Sequence, residues 1–224
     1  VAAMAMVGPL LLKGASHSWA TEPWHRADRS SAGLAPDPRT TPEAVVQVYA
    51  APTYGWRGIF AVHAWIAVKD ADAARYDRWD VMGWGSGRVV RHNYDGPDHR
   101  WFGREPQVLA DIRGDKAAAL IPQIREAVAA YPWPETYRTF PGPNSNTFVA
   151  FVARRVPDLG LDLPPTAIGK DFRPLSDPIG HAPSGRGFQV SLLGLAGLIV
   201  APDEGIELNL LGLGIGVDVA QPAL

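Results

Sequence analysis

The sequence predicts an α+β fold in which a small antiparallel sheet packs on two helices. Several short segments in the first half of the chain are rich in β-branched residues or alternate between two faces, as strands do. Two segments in the middle of the chain place apolar residues at helical spacing. The remaining residues are predicted to form an extended N-terminal arm and a C-terminal glycine-rich apolar β-hairpin. Strands that precede helices along the chain are typical of the α+β class.

The second predicted strand is the most informative of four. Its alternation places His63 and Trp65 on one face and Ala64 and Ile66 on the other. A Gly-Ser-Gly turn joins the third strand to the fourth. The four predicted strands are residues 45–52, 60–68, 78–85 and 89–94.

The two predicted helices follow polar or proline-rich segments. Residues 114–131 have apolar positions at helical spacing, with Asp115 as the expected cap and Pro122 as a kink or a second start. Residues 145–156 place Phe148 and the apolar positions that follow it on a buried side.

Composition divides the chain into four parts. Residues 1–13 are apolar up to Lys13 but shorter than the roughly 20 residues of a membrane-spanning helix, so we expect the end of a truncated membrane anchor. The alternative is an ordinary buried N-terminal segment. Residues 14–43 are polar and dotted with proline, which predicts an extended linker or arm. Residues 44–187 should form the α+β core and residues 188–224 an apolar β-hairpin extension.

The C-terminal extension contains two similar apolar segments, VSLLGLAGLIV and LNLLGLGIGVDV, with an APDEG turn between them. Each segment is too short to span a bilayer as a helix. We therefore expect a glycine-rich hairpin that is buried on both faces. If the domain itself does not cover this hairpin, a membrane or a partner subunit must do so.

Charge and cysteine content exclude several classes of function. The formal net charge is −2 and no basic run is interleaved with aromatic residues, so we expect no nucleic-acid partner. The chain has no cysteine, which excludes disulfides, thiolate metal sites and a cysteine nucleophile. His92, Asp95, Asp98 and His99 lie close together in the sequence, but they match no metal-binding pattern. We expect a solvated turn there, and no metal or cofactor.

Ser145 is the candidate nucleophile, because it begins a predicted helix whose free amides could stabilise an oxyanion. A serine needs a base, and His63 on the second strand is the candidate. Asp80 on the next strand is the first candidate to orient the imidazole ring, before His92 or Asn93. The alternative is that Ser145 only caps the helix, although Asn144 next to it could also do so.

Five further residues are predicted to bind a ligand around this site. Asn144 and Asn146 flank the serine, and Trp65 shares the strand face of the histidine. Lys170 and Asp171 could line a pocket; the alternative for this pair is a surface ion pair.

The chain resembles a bacterial family of unknown function, the domain of unknown function 3750, from about residue 24 to residue 224. Segments that carry the resemblance are VVQVYAAPTYGWRG, FAVHAWIAVK, WFG, YPW, PGPNSNTF, LPPTAIGKDF and PSGRGFQVSLLGLAGL. Members of that family typically begin with a membrane-spanning segment, and the family has no established activity. The resemblance implies a domain anchored to the bacterial inner membrane that faces the periplasm.

A second resemblance is to permuted papain-like domains, the relatives of cell-wall amidases and lecithin–retinol acyltransferase. In those domains a strand histidine comes first and a nucleophilic cysteine later opens a helix, often within an Asn-Cys-x-x-Phe pattern. Here His63 and the Asn144–Phe148 segment have the same form, with Ser145 in the cysteine position. The resemblance implies either a serine acyl hydrolase or transferase, or a retired active site, because a serine must be deprotonated during attack.

Three functions follow as expectations. The first is an enzyme that hydrolyses or transfers an acyl group on a lipid, lipoprotein or cell-wall substrate. The second is a non-catalytic accessory subunit of an inner-membrane protein complex, bound to the membrane by its N-terminal segment and to its partner by the C-terminal hairpin. The third is a module that binds an envelope ligand in the same groove without catalysis.

Overall fold

The computed structural model describes residues 22–85 and 87–217. The expected membrane anchor at residues 1–13 lies outside these ranges. In the described residues the structure contains two helices and two five-stranded antiparallel sheets, which confirms the predicted α+β class.

The N-terminal sheet holds the four predicted strands and one that the sequence analysis missed. The first strand has the predicted bounds, and the others differ from prediction by one to four residues at each end. The missed strand pairs with the first predicted strand on the side away from the second. It is half-exposed along its length, so its sequence lacks a buried apolar run. The strands are β1 (Val45–Pro52), β2 (Val62–Lys69), β3 (Asp77–Val81), β4 (Val90–His92) and β5 (Gln107–Arg113), in the order β4-β3-β2-β1-β5.

Both predicted helices form and pack on one face of this sheet. They are α1 (Gly114–Ala129) and α2 (Ser145–Arg155). Ala64, Ile66 and Val68 of β2 join buried residues of both helices in the main hydrophobic core. The alternation that the sequence predicts for the second strand is therefore confirmed, because these three residues face the helices.

The opposite face of the N-terminal sheet is covered by the extended arm and by the loop after β4. Tyr49, Trp65 and Trp101 form a smaller apolar cluster there. The buried carboxylate of Asp98 accepts hydrogen bonds from the Ser31 hydroxyl and from backbone amides of the arm. The described part of the arm, residues 22–43, thus lies against the core.

The C-terminal part of the described chain forms a five-stranded sheet and not the predicted single hairpin. Each of the two similar apolar segments contains its own turn, so together they form four strands, and a short preceding strand extends the sheet to five. The outer face of this sheet is exposed, so the prediction of a hairpin buried on both faces is wrong. The strands are β6 (Ile179–Gly180), β7 (Phe188–Leu192), β8 (Ala196–Ala201), β9 (Gly205–Leu210) and β10 (Leu213–Val217), paired in chain order.

The turns of these two hairpins explain why the sequence analysis predicted a single hairpin. Leu193 and Gly194 after β7, and Leu211 and Gly212 after β9, all have positive φ values. Two central residues with positive φ are typical of the type I′ turn, which usually carries Asn-Gly or Asp-Gly. Leucine in that position hides the turn within an apolar run.

None of the helices in the described ranges is both long enough and apolar enough to cross a bilayer.

We predict that Phe148→Ala lowers the free energy of unfolding by about 3–5 kcal/mol, because the ring is fully buried in the main core. Phe140→Ala removes a half-exposed ring and serves as the matched control, with a smaller loss. Urea denaturation measures both. Equal losses would contradict the position of Phe148 in the core.

Candidate functional site

A buried polar triad lies on the face of the N-terminal sheet that is turned away from the helices. The Nε2 atom of His63 is 3.0 Å from Oδ1 of Asp80. The same carboxylate accepts hydrogen bonds from Nε and Nη2 of Arg78, at 2.7 and 3.0 Å. Alternation along β2 and β3 places all three side chains on this face. The Asp80 carboxylate is therefore fully satisfied without contact with water.

The environment keeps the imidazole of His63 neutral. Its ring stacks on Trp101, with 3.6 Å between the ring centroids, and only 5% of the residue is exposed. Burial lowers the pKa of His63, although the hydrogen bond to Asp80 opposes this shift. Burial alone would raise the pKa of Asp80, but Arg78 and His63 outweigh it and lower that pKa. Because an ionised carboxylate only accepts hydrogen bonds, Nε2 of His63 carries the ring proton.

The structure does not bring Ser145 into hydrogen-bond contact with His63. Helix α2 packs on the sheet face that holds Ala64 and Ile66, whereas His63 lies on the other face. Ser145 is 4% exposed, and its hydroxyl forms no hydrogen bond with any described residue. His63 and Asp80 are hydrogen-bonded to each other, and no serine hydroxyl of the described residues hydrogen-bonds to the ring. The catalytic roles of Ser145, His63 and Asp80 stay predictions.

The helix cap is Asn144 and not Ser145. The Asn144 side-chain oxygen accepts hydrogen bonds from the amides of Asn146 and Thr147, which completes a capping box with the Thr147 hydroxyl. Its Nδ2 group donates to the carbonyls of Thr139 and Ile168. These four bonds use both N–H groups and the oxygen of the Asn144 side chain, so it presents no free group to a ligand in this conformation.

Asn146 connects the start of α2 to two other segments. Its Nδ2 group donates to the carbonyls of Val62 and Ile168, at 3.0 and 2.9 Å. Its Oδ1 atom is buried and has no hydrogen-bond partner among the described residues. The predicted ligand-binding role of both asparagines stays a prediction, and their observed contacts join β2, α2 and the segment around Ile168.

Lys170 and Asp171 lie between the core and the C-terminal sheet. Lys170 Nζ is 2.7 Å from Oε2 of Glu207 on β9, and Asp171 accepts a 2.7 Å hydrogen bond from Nδ2 of Asn209 on the same strand. All four side chains are buried or half-buried, so the alternative of a surface ion pair between Lys170 and Asp171 is wrong. Burial raises the pKa of Glu207, against the lowering effect of Lys170.

The histidine side chains at the end of β4 and in the loop after it form separate contacts. His92 contacts Asp77 at 2.9 Å, and His99 contacts Asp95 at 3.3 Å. Asn93, a second candidate for orienting His63, instead accepts a hydrogen bond from the amide of Arg78. Across residues 22–85 and 87–217, no three His, Asp or Glu side chains are grouped so that they could hold a metal ion.

The most exposed apolar surface is the outer side of the C-terminal sheet, which we call the apolar face. Strand register aligns its residues in three rows that cross β7, β8, β9 and β10. Every side chain on this face is apolar. Its members are Ile179, Phe188, Val190, Leu192, Ala196, Leu198, Val200, Ile206, Leu208, Leu210, Leu213, Ile215 and Val217.

The polar side chains of the same sheet lie on its inner face, together with the buried Ile199 and Ala201. Gln189, Ser191 and Glu207 are buried there, and Asn209 is half-buried. On the apolar face, in contrast, Leu208 is 60% exposed and Val217 is 65% exposed. The sheet is thus inverted relative to the usual arrangement of a soluble domain. Contiguous apolar surface of this kind marks an interaction site.

Sequence reasoning missed both Arg78 and the polarity of the C-terminal sheet. Arg78 lies two residues before Asp80, and this period-2 spacing places the two side chains on one face. In the C-terminal sheet the signal was the position of the few polar residues. Gln189 and Ser191, like Glu207 and Asn209, alternate with large apolar residues, which indicates two faces of different polarity.

We predict that Asn144→Ala lowers the free energy of unfolding by about 1–3 kcal/mol, because it removes the cap and two further hydrogen bonds. Ser145→Ala is the matched control one residue away and should change stability by about 0.5 kcal/mol or less. Chemical denaturation distinguishes the two. A larger loss for Ser145→Ala would show that its hydroxyl has a role that these contacts do not explain.

We also predict a pH dependence that comes from His63. Its folded-state pKa is lowered from 6.5, so the unfolded chain binds the proton first as the pH falls. The free energy of unfolding should therefore decrease from about pH 6.5 downward to the folded-state pKa, by at most about 1.4 kcal/mol per pH unit. His63→Gln should flatten this slope, whereas His25→Gln, at an exposed position without an ion pair to described residues, should not. Identical slopes in both variants would refute the assignment.

The comparisons with known proteins bear on the family alone. No curated protein and no solved structure matches this chain. A family model described as "Protein of unknown function (DUF3750)" matches residues 43–172. The matched range is more than half of the chain and contains the N-terminal sheet, both helices and the start of the segment that binds the C-terminal sheet. The resemblance to permuted papain-like domains finds no support in these comparisons. The chain belongs to the DUF3750 family.

Proposed function

We propose that this protein is a non-catalytic peripheral membrane protein that binds the surface of a lipid bilayer through its apolar face. One observation carries the proposal: the C-terminal sheet exposes only apolar side chains on its outer side and buries its polar ones. In water such a face is unfavourable, because each fully exposed Leu, Ile, Val or Phe side chain forgoes about 1.5–3 kcal/mol of burial free energy. An apolar environment outside the chain relieves that cost.

The chemistry of the apolar face favours lipid over a protein partner. Protein interfaces contain about one hydrogen bond per 100–200 Å² and are enriched in Tyr, Trp, Phe, Met and Arg. The three rows of the apolar face contain a single phenylalanine, none of the other four residue types and no side-chain hydrogen-bonding group. Apart from Phe188, every member is aliphatic, which matches acyl chains.

Two further points agree with a membrane location. The sequence predicts a membrane anchor at residues 1–13, and an anchor in the same chain would raise the effective concentration of the apolar face at the bilayer. The proposed location is the periplasmic side of a bacterial inner membrane. An accessory role within a membrane protein complex is the competing arrangement, in which a protein and not lipid covers the face.

Acyl transfer has less support. Helix α2 packs on the sheet face opposite to the His63 ring, no hydrogen bond joins Ser145 to that ring, and the imidazole is enclosed by Trp101 and Asp80. A nucleophile–base pair would require the two groups within hydrogen-bond reach.

We predict that a fluorescent probe on the apolar face enters the bilayer. The chain has no cysteine, so Leu208→Cys in the full chain gives a single labelling site for an environment-sensitive fluorophore such as NBD. Adding phosphatidylcholine vesicles should shift its emission to the blue and protect it from an aqueous quencher, because position 208 moves from water into lipid. The matched control, Lys116→Cys on the exposed side of α1, should keep its emission and its accessibility to the quencher.

The same measurement separates lipid from protein partners. If the probe at position 208 is unchanged by vesicles, the proposal fails. If the probe is protected only when a protein partner co-purifies in mild detergent, the accessory-subunit arrangement replaces it.

A further inference from the structure

A cavity of about 430 Å³ lies at the C-terminal end of helix α2, apart from the residues discussed so far. Three arginines and three aromatic rings make up most of its wall. They are Arg154, Arg155, Arg173, Trp133, Phe151 and Phe172. Cavities of this size hold small molecules, and convergent polar groups within an aromatic wall are typical of a binding site.

Only one of the three arginines forms an ion pair with a described carboxylate. Arg173 is paired with Asp177, which also lines the cavity. No carboxylate of the described chain lies within ion-pair distance of Arg154 or Arg155. Arg154 instead donates hydrogen bonds to neutral acceptors, the Lys170 and His181 carbonyls and the Gln189 side chain. Two of the three guanidinium charges are therefore unpaired in the described residues.

Donor groups of the cavity arginines are also free. The hydrogen bonds of Arg154 and Arg173 to described residues use only Nε and Nη2, so the Nη1 group of each has no acceptor there. Arg155 forms no hydrogen bond with described residues, and its guanidinium carbon lies 4.9 Å from the centroid of the Phe151 ring. Burial and the neighbouring Arg173 lower the pKa of Arg154 to about 10, although the charges of Asp171, Glu204 and Asp177 oppose this shift.

A structural explanation accounts for part of this arrangement. Arg154 and Arg155 end helix α2, where the negative end of the helix dipole stabilises a cation by about 0.3–1 kcal/mol. The dipole does not explain why Arg173, from a different segment, lines the same cavity. It also does not explain the rings of Trp133 and Phe172, whose centroids are 5.4 Å apart in an edge-to-face arrangement.

We infer that this cavity binds a phosphate group carried by an apolar molecule. Guanidinium groups present planar forks of N–H donors that match phosphate oxygens, and several arginines together are typical of phosphate recognition. The aromatic wall would contact the apolar part of the ligand. A phosphate ester in solution and a phospholipid headgroup share this chemistry.

The position of the cavity favours a phospholipid headgroup over a soluble phosphate ester. Arg173 donates a 3.0 Å hydrogen bond from Nη2 to the carbonyl of Ile179, whose side chain belongs to the apolar face. A phosphate site and an aliphatic surface thus lie on one short segment. The inference does not depend on bilayer binding, because the cavity has its own charge and its own apolar wall.

The test is calorimetric titration of the full chain with three soluble probes: inorganic phosphate, phenyl phosphate and monomeric dihexanoyl phosphatidic acid. We expect saturable one-to-one binding of at least one ester, tighter than inorganic phosphate. Tighter binding of dihexanoyl phosphatidic acid identifies a lipid headgroup, and tighter binding of phenyl phosphate identifies a soluble ester. If no ester binds, or if the control dihexanoylglycerol, which lacks the phosphate, binds as well as the phosphatidic acid, the inference is overturned.

Arg155→Gln is the decisive variant, because the side chain is exposed and forms no hydrogen bond with described residues that its loss would break. We expect it to weaken binding of the preferred ester about tenfold, as for the loss of one charged contact. Arg75→Gln removes the same charge from an exposed position that does not line the cavity, and it should leave affinity unchanged. If both variants weaken binding of the ester equally, the attraction is nonspecific and the inference of a binding site is overturned.

These outcomes are independent of bilayer binding. Neutral vesicles report on the apolar face through the probe at position 208, whereas monomeric probes report on the cavity. Either result can therefore fail while the other holds.

Discussion

The carbonyl oxygen of Ile168 accepts hydrogen bonds from both Asn144 and Asn146, and the arrangement of the rest of the molecule depends on this shared acceptor. Asn144 caps helix α2, and Asn146 also holds the Val62 carbonyl at the start of β2. One polar cluster thus sets the start of a helix, the start of a strand and the path of the chain after Ile168. Because buried amide groups without partners are costly, these bonds permit few alternative arrangements.

The path of the chain after Ile168 decides how the C-terminal sheet is attached. Lys170 and Asp171 follow within three residues, and they bind Glu207 and Asn209 on β9. A sheet attached through charged and amide groups must turn its polar residues inward to meet them. Its apolar residues then face outward by the alternation of the strands. The exposed apolar face is therefore a consequence of a polar attachment and not of poor packing.

Patterns within single segments were enough to predict the core of the fold. The predictions failed where the structure depends on contacts between distant segments. The alternation in β2 and the helical spacing of α1 and α2 are properties of single segments, so they could be read directly. The edge strand β5 was missed because it is only half-buried and lacks a strong pattern. His63 and Asp80 could be placed on neighbouring strands, but which sheet face α2 covers depends on packing that one sequence does not reveal.

The C-terminal sheet was misread for a related reason, since an apolar residue at a turn conceals the turn. Leu211 has a φ of 52° and is largely exposed. A leucine in this left-handed region is less stable than glycine or asparagine by about 1 kcal/mol. Asparagine there would give a more stable hairpin, yet the chain has an exposed leucine at the tip of the apolar face. Such a residue lowers the stability of the isolated protein and improves its fit to an apolar environment. The resting fold of this domain in water is thus not its most stable attainable version, and an ordinary screen for thermal stability would select variants that have lost the surface by which we propose it binds.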